Sequence, residues 1–115
     1  MPLSTNIHKA QLIENRIPYN YIRIDNTQGE QRSEWYTKIN PNGRLPAVVH
    51  VKEDGNSVVV WESAACMLYI VTEFDKGYTM WYPPQSQDYW QMLAWVRSLS
   101  LLIPPWERKL AYNLT

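Results

Sequence analysis

The sequence is poor in several features that mark common functional classes. Its single cysteine excludes a disulfide framework and a two-cysteine redox motif, and suits a reducing compartment. Eleven basic residues balance eleven acidic ones, so no net field favours nucleic acid or an anionic membrane. No apolar run approaches a membrane span, and residues 1–9 lack the apolar core of a signal peptide. We therefore expect a cytoplasmic protein with neither nucleic acid nor a membrane as partner.

The sequence also offers little to a metal ion or a reactive thiol. His8 and His50 have no partners at metal-ligand spacing, so we expect no metal site. Cys66 lies within an apolar helical pattern, which favours a packed thiol over a reactive one.

Hydrophobic periodicity predicts the element order α-β-α-β-β-α for residues 4–74. The predicted elements are a helix capped by Ser4 or Thr5 and ending before Pro18, a strand over 19–24, a short irregular helix over 30–38, a hairpin of strands 47–51 and 57–61, and a helix over 62–74.

The remaining residues read as a linker followed by helix. Gly77 and the pair Pro83-Pro84 are breakers, and Ser86 is a plausible cap for an amphipathic helix that Pro104 stops. Residues 106–112 are expected to add two further helical turns.

Two neighbouring features suit a ligand. A proline that enters a strand at Leu45-Pro46 cannot donate to the ladder and leaves Leu45 with free backbone groups. A helix that begins at or beside Ser63 offers unpaired N–H groups and a positive dipole end to a carboxylate.

The same residues carry a resemblance. Asn-Pro-Asn-Gly-Arg-Leu-Pro-Ala-Val (40–48), followed by Trp-Glu-Ser-Ala-Ala (61–65), resembles the glutathione-site half of the glutathione transferase family, in particular its fungal branch with the yeast nitrogen-regulating prion protein. Both motifs stand in the expected order and at the expected spacing.

The resemblance implies an α/β (α+β) fold: a truncated thioredoxin-like glutathione-binding domain over residues 1–76, a linker over 77–85, and the first helix or two of an all-α domain over 86–115. In the family an apolar strand precedes the first helix and lies in mid-sheet, whereas only three residues precede Ser4 here. We therefore expect a sheet without its first strand and with exposed edges beside the gap, as in a truncated gene product or a relic.

The resemblance also assigns roles around glutathione. Glu62 would take the γ-glutamyl ammonium and Ser63 the neighbouring carboxylate. Leu45 would precede a cis Pro46, and its backbone would pair with the cysteinyl part of glutathione. The alternative for Glu62 and Ser63 is a helix cap and a dipole partner.

Further residues complete the expected site. Gln31 falls where relatives place a polar group near the glycyl carboxylate, and Arg44 either joins it or only shapes the loop. Asn6 aligns best with the donor to the glutathione thiolate, with Ser4 as the alternative. For Asn6 a capping or solvated side chain is the competing interpretation.

The expected function is conjugation of the glutathione thiolate to an electrophilic small molecule, in detoxification or secondary metabolism. Glutathione would be a co-substrate, with no covalently bound cofactor, and a homodimer is a further expectation because family members usually dimerise. The alternative is a catalytically inactive glutathione-fold binding or regulatory module.

Overall fold

The computed structural model describes residue 12, residues 15–102 and residues 110–114. Its strands are β1 (Tyr19–Arg23), β2 (Ala47–Val51), β3 (Ser57–Trp61) and β4 (Leu110–Leu114). Its α-helices are α1 (Glu34–Thr37), α2 (Ser63–Phe74) and α3 (Gln87–Leu102), and two 3-10 turns cover Asn26–Gln28 and Glu30–Arg32.

The β2–β3 hairpin has the bounds that the sequence predicts. The strands pair antiparallel, from Ala47 opposite Trp61 to Val51 opposite Ser57. Their β-branched residues suit a pleated, half-buried surface. The turn between them is closed by the N–H of Lys52, which donates to the carbonyl of Asn56 at 2.8 Å.

The centre of the sheet corrects the expectation of an empty position. The strand order is β1-β4-β2-β3, so β4 lies between β1 and β2, antiparallel to the first and parallel to the second. The expected helical turns over 106–112 are therefore wrong for residues 110–112. Without β4, the facing edges of β1 and β2 would present unpaired backbone groups, and pairing them outweighs a local helical preference.

The direction of β4 sets it apart from the first strand that the resemblance implies for this position. A strand joined to β1 through a helix would run parallel to β1. Instead, β4 runs antiparallel to it, with Tyr19 opposite Leu114 and Arg23 opposite Leu110. Residues 110–114 thus occupy the central position of the sheet, and they run opposite to the direction expected for a first strand.

Two hydrophobic clusters cover the two faces of the sheet. Successive residues of a strand point to opposite faces, and in β2 Val48 belongs to one cluster while Ala47 belongs to the other. The first cluster contains Leu12, Val48, Cys66 and Ile70, and the second contains Ile24, Tyr36, Leu45 and Ala47. The second cluster supports the loop that leads into β2.

Asp75 organises the segment that follows α2. Its side chain is buried, and its carboxylate accepts hydrogen bonds from the N–H groups of Thr79 at 3.0 Å and Met80 at 2.7 Å. The indole N–H of Trp81 donates to the Asp75 carbonyl at 2.9 Å. This segment is therefore held by specific bonds, although the division of the chain into domains stays a prediction.

Helix α3 begins as the sequence predicts. The hydroxyl of Ser86 accepts a hydrogen bond from the N–H of Tyr89 at 3.3 Å, which makes Ser86 its cap. Trp90 and Trp95 are exposed on this helix, at 66% and 68%. In the described ranges, no helix combines the length and apolar character needed to cross a bilayer.

Candidate functional site

The proline loop, residues 40–46, is held by hydrogen bonds from buried groups. The carbonyl oxygen of Arg44 accepts from the hydroxyl of Tyr36 at 2.6 Å and from the side-chain amide of Asn40 at 2.7 Å. The Asn40 side chain also accepts from the N–H of Asn42 at 3.0 Å, and its backbone carbonyl accepts from the N–H of Gly43 at 2.9 Å. Asn40 therefore forms both the turn and the support of the loop.

The loop ends at the strand β2, with Leu45 and Pro46 both buried. The Leu45–Pro46 peptide bond is cis. In the described part of the chain, no residue accepts a hydrogen bond from the N–H of Leu45. The residue before the proline thus keeps a backbone donor for another molecule.

Gly43 brings the proline loop against the second 3-10 turn. Its φ is +60°, a conformation that glycine adopts without steric cost. A Cβ at this position would lie 3.1 Å from the backbone carbonyl oxygen of Gln31. A glycine is needed here both for the backbone angle and for the close approach of the two segments.

Between the loop and the turn lies a cavity of about 360 Å³, which we call the arginine-lined cavity. It is lined by Asn26, Gln31, Arg32, Asn42, Gly43, Arg44 and Leu45. Its two guanidinium groups belong to exposed residues, and the described residues that line it include no carboxylate. Arginine presents a planar fork of donors that matches carboxylate geometry, so the cavity suits an anionic group.

Gln31 adds an acceptor to this cavity. Its side-chain oxygen is buried and has no hydrogen-bond partner among the residues described. A buried acceptor without a partner costs free energy that a ligand N–H recovers. The arginine-lined cavity therefore offers both cationic donors and an amide acceptor.

The 3-10 turns are fixed from the side of β1. The N–H of Asp25 donates to the carboxylate of Glu30 at 2.7 Å, and Asp25 itself caps the first turn by accepting from the N–H of Thr27 at 3.0 Å. The hydroxyl of Thr27 also bonds to Asp25 and lowers the pKa of that carboxyl. These bonds place Gln31 and Arg32 at the cavity wall.

The first turn of α2 forms the second part of the site. The first intrahelical bond runs from the N–H of Cys66 to the carbonyl of Glu62 at 2.9 Å, so the N–H groups of Ala64 and Ala65 have no partner within the helix. The Ser63 side chain is buried, whereas Glu62 is exposed. The helix has 12 residues, long enough for its dipole to favour an anion at this end.

Glu62 stands in a conformation unusual for a residue with a side chain. Its φ is +77° and its ψ is 135°, and its side chain makes no capping hydrogen bond. Backbone strain of this kind costs about 1–3 kcal/mol and concentrates at functional sites. Local stability does not explain a glutamate here.

The strand register joins the two parts of the site. Ala47 lies opposite Trp61, so the residues just outside the hairpin, Pro46 and Glu62, lie at the same end of the sheet. The structure thus places Gln31, Arg44 and Leu45 at the cavity and brings Pro46, Glu62 and Ser63 to the adjoining sheet end. Of these six, only the first three line the cavity itself.

Two candidate site residues lie outside the described part of the chain, and the sequence patterns missed some residues that line the cavity. Asn6 and Ser4 lie outside the described residues. The sequence patterns did not single out Asn26 or Asn42, although both line the cavity together with Arg32. The dense turn motif that contains Asn42 was the available signal for that residue.

The thiol of Cys66 and the imidazole of His50, which could be reactive, are both held by contacts within the fold. Burial raises the pKa of the Cys66 thiol, which donates to the carbonyl of Val60 at 3.4 Å, so the thiol is packed as expected. His50 bonds through Nδ1 to the hydroxyl of Tyr69 at 2.6 Å. Within the described ranges, no group of three or more potential ligands is arranged for a metal ion.

Comparison with known proteins identifies the family. The profile of the glutathione S-transferase N-terminal domain family matches residues 10–73, more than half of the chain. The chain belongs to this family. The glutathione S-transferase assignment also confirms the thioredoxin-like, mixed α/β fold expected from the sequence.

Fungal relatives agree with the assignment. The chain is 34% identical to Protein URE2 of Meyerozyma guilliermondii over 87 residues, which are 74% of this chain and 28% of that protein. It is 33% identical to glutathione S-transferase hmp2 of Hypomyces subiculosus over 75 residues, which are 65% of this chain and 33% of that protein. The chain thus spans about a third or less of the length of these two relatives.

Solved structures give the same result. The glutathione transferase URE2P6 from Phanerochaete chrysosporium, in complex with oxidized glutathione, superposes with a TM-score of 0.75 and 31% identity, covering 84% of this chain and 43% of that one. The glutathione transferase URE2P8 of the same organism, also with oxidized glutathione, has a TM-score of 0.69 and 29% identity, covering 77% and 39%.

Proposed function

We propose that this chain binds glutathione between the proline loop and the first turn of α2, and conjugates the glutathione thiolate to an electrophilic small molecule. The observation that carries the binding proposal is the arginine-lined cavity beside a backbone N–H that no described residue accepts. Family membership, and the glutathione in both related transferase structures, support the choice of ligand.

The chemistry of glutathione matches the groups around the cavity. Arg44 and the amide of Gln31 suit the glycyl end, whose carboxylate and peptide N–H need a cation and an acceptor. Arg32, on the same wall, strengthens the positive field. Both arginines are exposed, and exposed ion pairs contribute about 1 kcal/mol or less each, so we expect recognition to depend on several contacts together.

The other two parts of the tripeptide have matching groups nearby. The backbone of Leu45 pairs with the cysteinyl part, which fixes the sulfur. Glu62 meets the γ-glutamyl ammonium, and the N–H groups at the start of α2 with the Ser63 hydroxyl meet the carboxylate next to it. Strain at Glu62 fits this role, because backbone strain of this kind concentrates at functional sites.

Conjugation requires the glutathione thiolate. Lowering a thiol pKa from about 8.5 to about 6.5 takes about 2.7 kcal/mol of differential stabilisation. A hydrogen bond to a charged group contributes about 1.5–3 kcal/mol, so a single donor nearly suffices. We assign this donor to Asn6, with Ser4 as the alternative.

Isothermal titration of the full chain with reduced glutathione tests the binding proposal. We expect saturable binding that Glu62→Ala and Ser63→Ala each weaken about three- to fivefold. Glu53→Ala is the matched control, because Glu53 is an exposed glutamate in the hairpin turn at the opposite end of β2 and β3. Equal affinity in the parent chain and in both site variants would refute the proposed site.

Turnover separates the enzyme from a second candidate, a glutathione-binding module without activity. Spectrophotometric conjugation of 1-chloro-2,4-dinitrobenzene decides between them. We expect turnover that Asn6→Ala reduces; binding without turnover would leave the module.

A further inference from the structure

Two buried side chains converge on one carbonyl oxygen beside the site. Tyr36 and Asn40 are 0% and 1% exposed, and both donate to the carbonyl of Arg44, at 2.6 and 2.7 Å. A carbonyl oxygen has two lone pairs, so this pair of donors saturates it. Neither side chain lines the arginine-lined cavity.

The peptide that carries this carbonyl also carries the N–H of Leu45. The Arg44–Leu45 peptide is trans, and the C=O and N–H of a planar trans peptide point in opposite directions. Holding the Arg44 carbonyl toward the interior therefore turns the Leu45 N–H away from it. Arg44 and Leu45 both line the cavity.

We propose that Tyr36 and Asn40 are positioning residues of the glutathione site, which orient the Arg44–Leu45 peptide so that the Leu45 N–H faces the cysteinyl part of the ligand. This inference rests on the proposed function and adds two residues that never touch the ligand. If this peptide could rotate, part of the free energy of binding would be spent on ordering the loop. The two donors order the loop before the ligand binds.

The donors differ in how they can be removed. Burial raises the pKa of Tyr36, so its hydroxyl keeps its proton and donates throughout the neutral and mildly alkaline range. Tyr36→Phe removes this donor alone, keeps the packed ring, and leaves the carbonyl its bond from Asn40. Asn40→Asp keeps the acceptor for the Asn42 N–H and removes the second donor.

The test compares glutathione affinity and backbone exchange in the full chain. We expect Tyr36→Phe to raise the dissociation constant for glutathione about three- to tenfold, the effect of one hydrogen bond, and Asn40→Asp to raise it further. Tyr69→Phe is the matched control, because it deletes a hydroxyl bonded to His50 in the other hydrophobic cluster. That variant should bind glutathione as the parent does.

Amide hydrogen exchange separates positioning from general destabilisation. In the parent, bound glutathione should slow exchange of the Leu45 amide, and in Tyr36→Phe this protection should fall while protection at Ser63 stays unchanged. Equal affinity in Tyr36→Phe and the parent, or equal losses in Tyr36→Phe and Tyr69→Phe, would overturn the inference alone. A parent chain that does not bind glutathione would overturn the proposed function and this inference with it.

Discussion

Replacing Glu62 by glycine should stabilise the fold and impair the site. The φ of +77° and ψ of 135° at this position lie where side chains clash with the backbone, at a cost of about 1–3 kcal/mol. Glycine relieves that cost but has more freedom in the unfolded chain, which returns about 0.5–1 kcal/mol. Since the Glu62 side chain makes no capping bond, its loss carries no further penalty. We expect a net gain of about 1 kcal/mol in the free energy of unfolding.

Urea unfolding followed by tryptophan fluorescence measures this change, since the chain has six tryptophans. With a slope of about 1–3 kcal/mol per molar urea, the midpoint should rise by about 0.3–1 M. The same variant should lose about three- to fivefold in affinity for glutathione, because the proposed acid for the γ-glutamyl ammonium is gone.

Two further variants at Glu62 separate the causes. Alanine keeps the Cβ and therefore the strain, so Glu62→Ala should lose glutathione binding without gaining stability. Glu62→Gln keeps the shape of the side chain and removes its charge, so it isolates the carboxylate. If the glycine and alanine variants unfold at the same urea concentration, the backbone conformation at residue 62 does not cost the free energy of unfolding that we infer, and the reasoning fails.

Three other perturbations follow from the described contacts. Asp75→Ala should lower the free energy of unfolding by about 2–3 kcal/mol, because it removes a buried acceptor of two N–H groups. Asp88→Ala, on the exposed start of α3, should change it by about 0.5 kcal/mol or less. Equal urea midpoints for the two variants would contradict this. Gly43→Ala should lower the free energy of unfolding by about 1–2 kcal/mol and weaken glutathione binding. Gly55→Ala, at φ +85° with open space around it, should leave binding intact. Parental affinity in both variants, measured by calorimetry, would refute the close approach of Gly43 to Gln31. Cys66 should resist alkylation by iodoacetamide at pH 8 until urea unfolds the chain, because burial raises its pKa; rapid labelling of the native chain, seen by mass spectrometry, would disprove its packing.

Local patterns in the sequence were sufficient for the elements that frame the site. The hairpin strands at 47–51 and 57–61 were predicted with their observed bounds, because β-branched runs on both sides of a polar turn specify a hairpin locally. The helix predicted from Glu62 begins at Ser63. The proline loop was found through its breaker residues.

The centre of the sheet was beyond such reasoning. β4 lies between two strands that are distant from it in sequence, and its own pattern is only five residues long. Its conformation follows from the unpaired edges of β1 and β2, which are properties of the folded sheet. No local propensity at residues 110–114 reveals them.

The wall of the arginine-lined cavity shows the same limit. Arg32 and Asn26 reach the cavity only because the 3-10 turns pack against the proline loop at Gly43. The hydrogen bond of Tyr36 to the Arg44 carbonyl likewise joins residues whose spacing in sequence suggests no pairing. Motifs supplied the residues that we propose meet the ligand, and tertiary contacts supplied those that hold them.

The most direct test of this account is a titration of the ¹⁵N-labelled chain with reduced glutathione, followed by backbone amide signals. The account predicts saturable shifts at Gln31, Leu45 and Ser63, with a single dissociation constant, and no shift at Gly55 in the hairpin turn. Shifts absent from those three amides, or centred on the hairpin turn instead, would contradict a glutathione site at the proline loop and the start of α2.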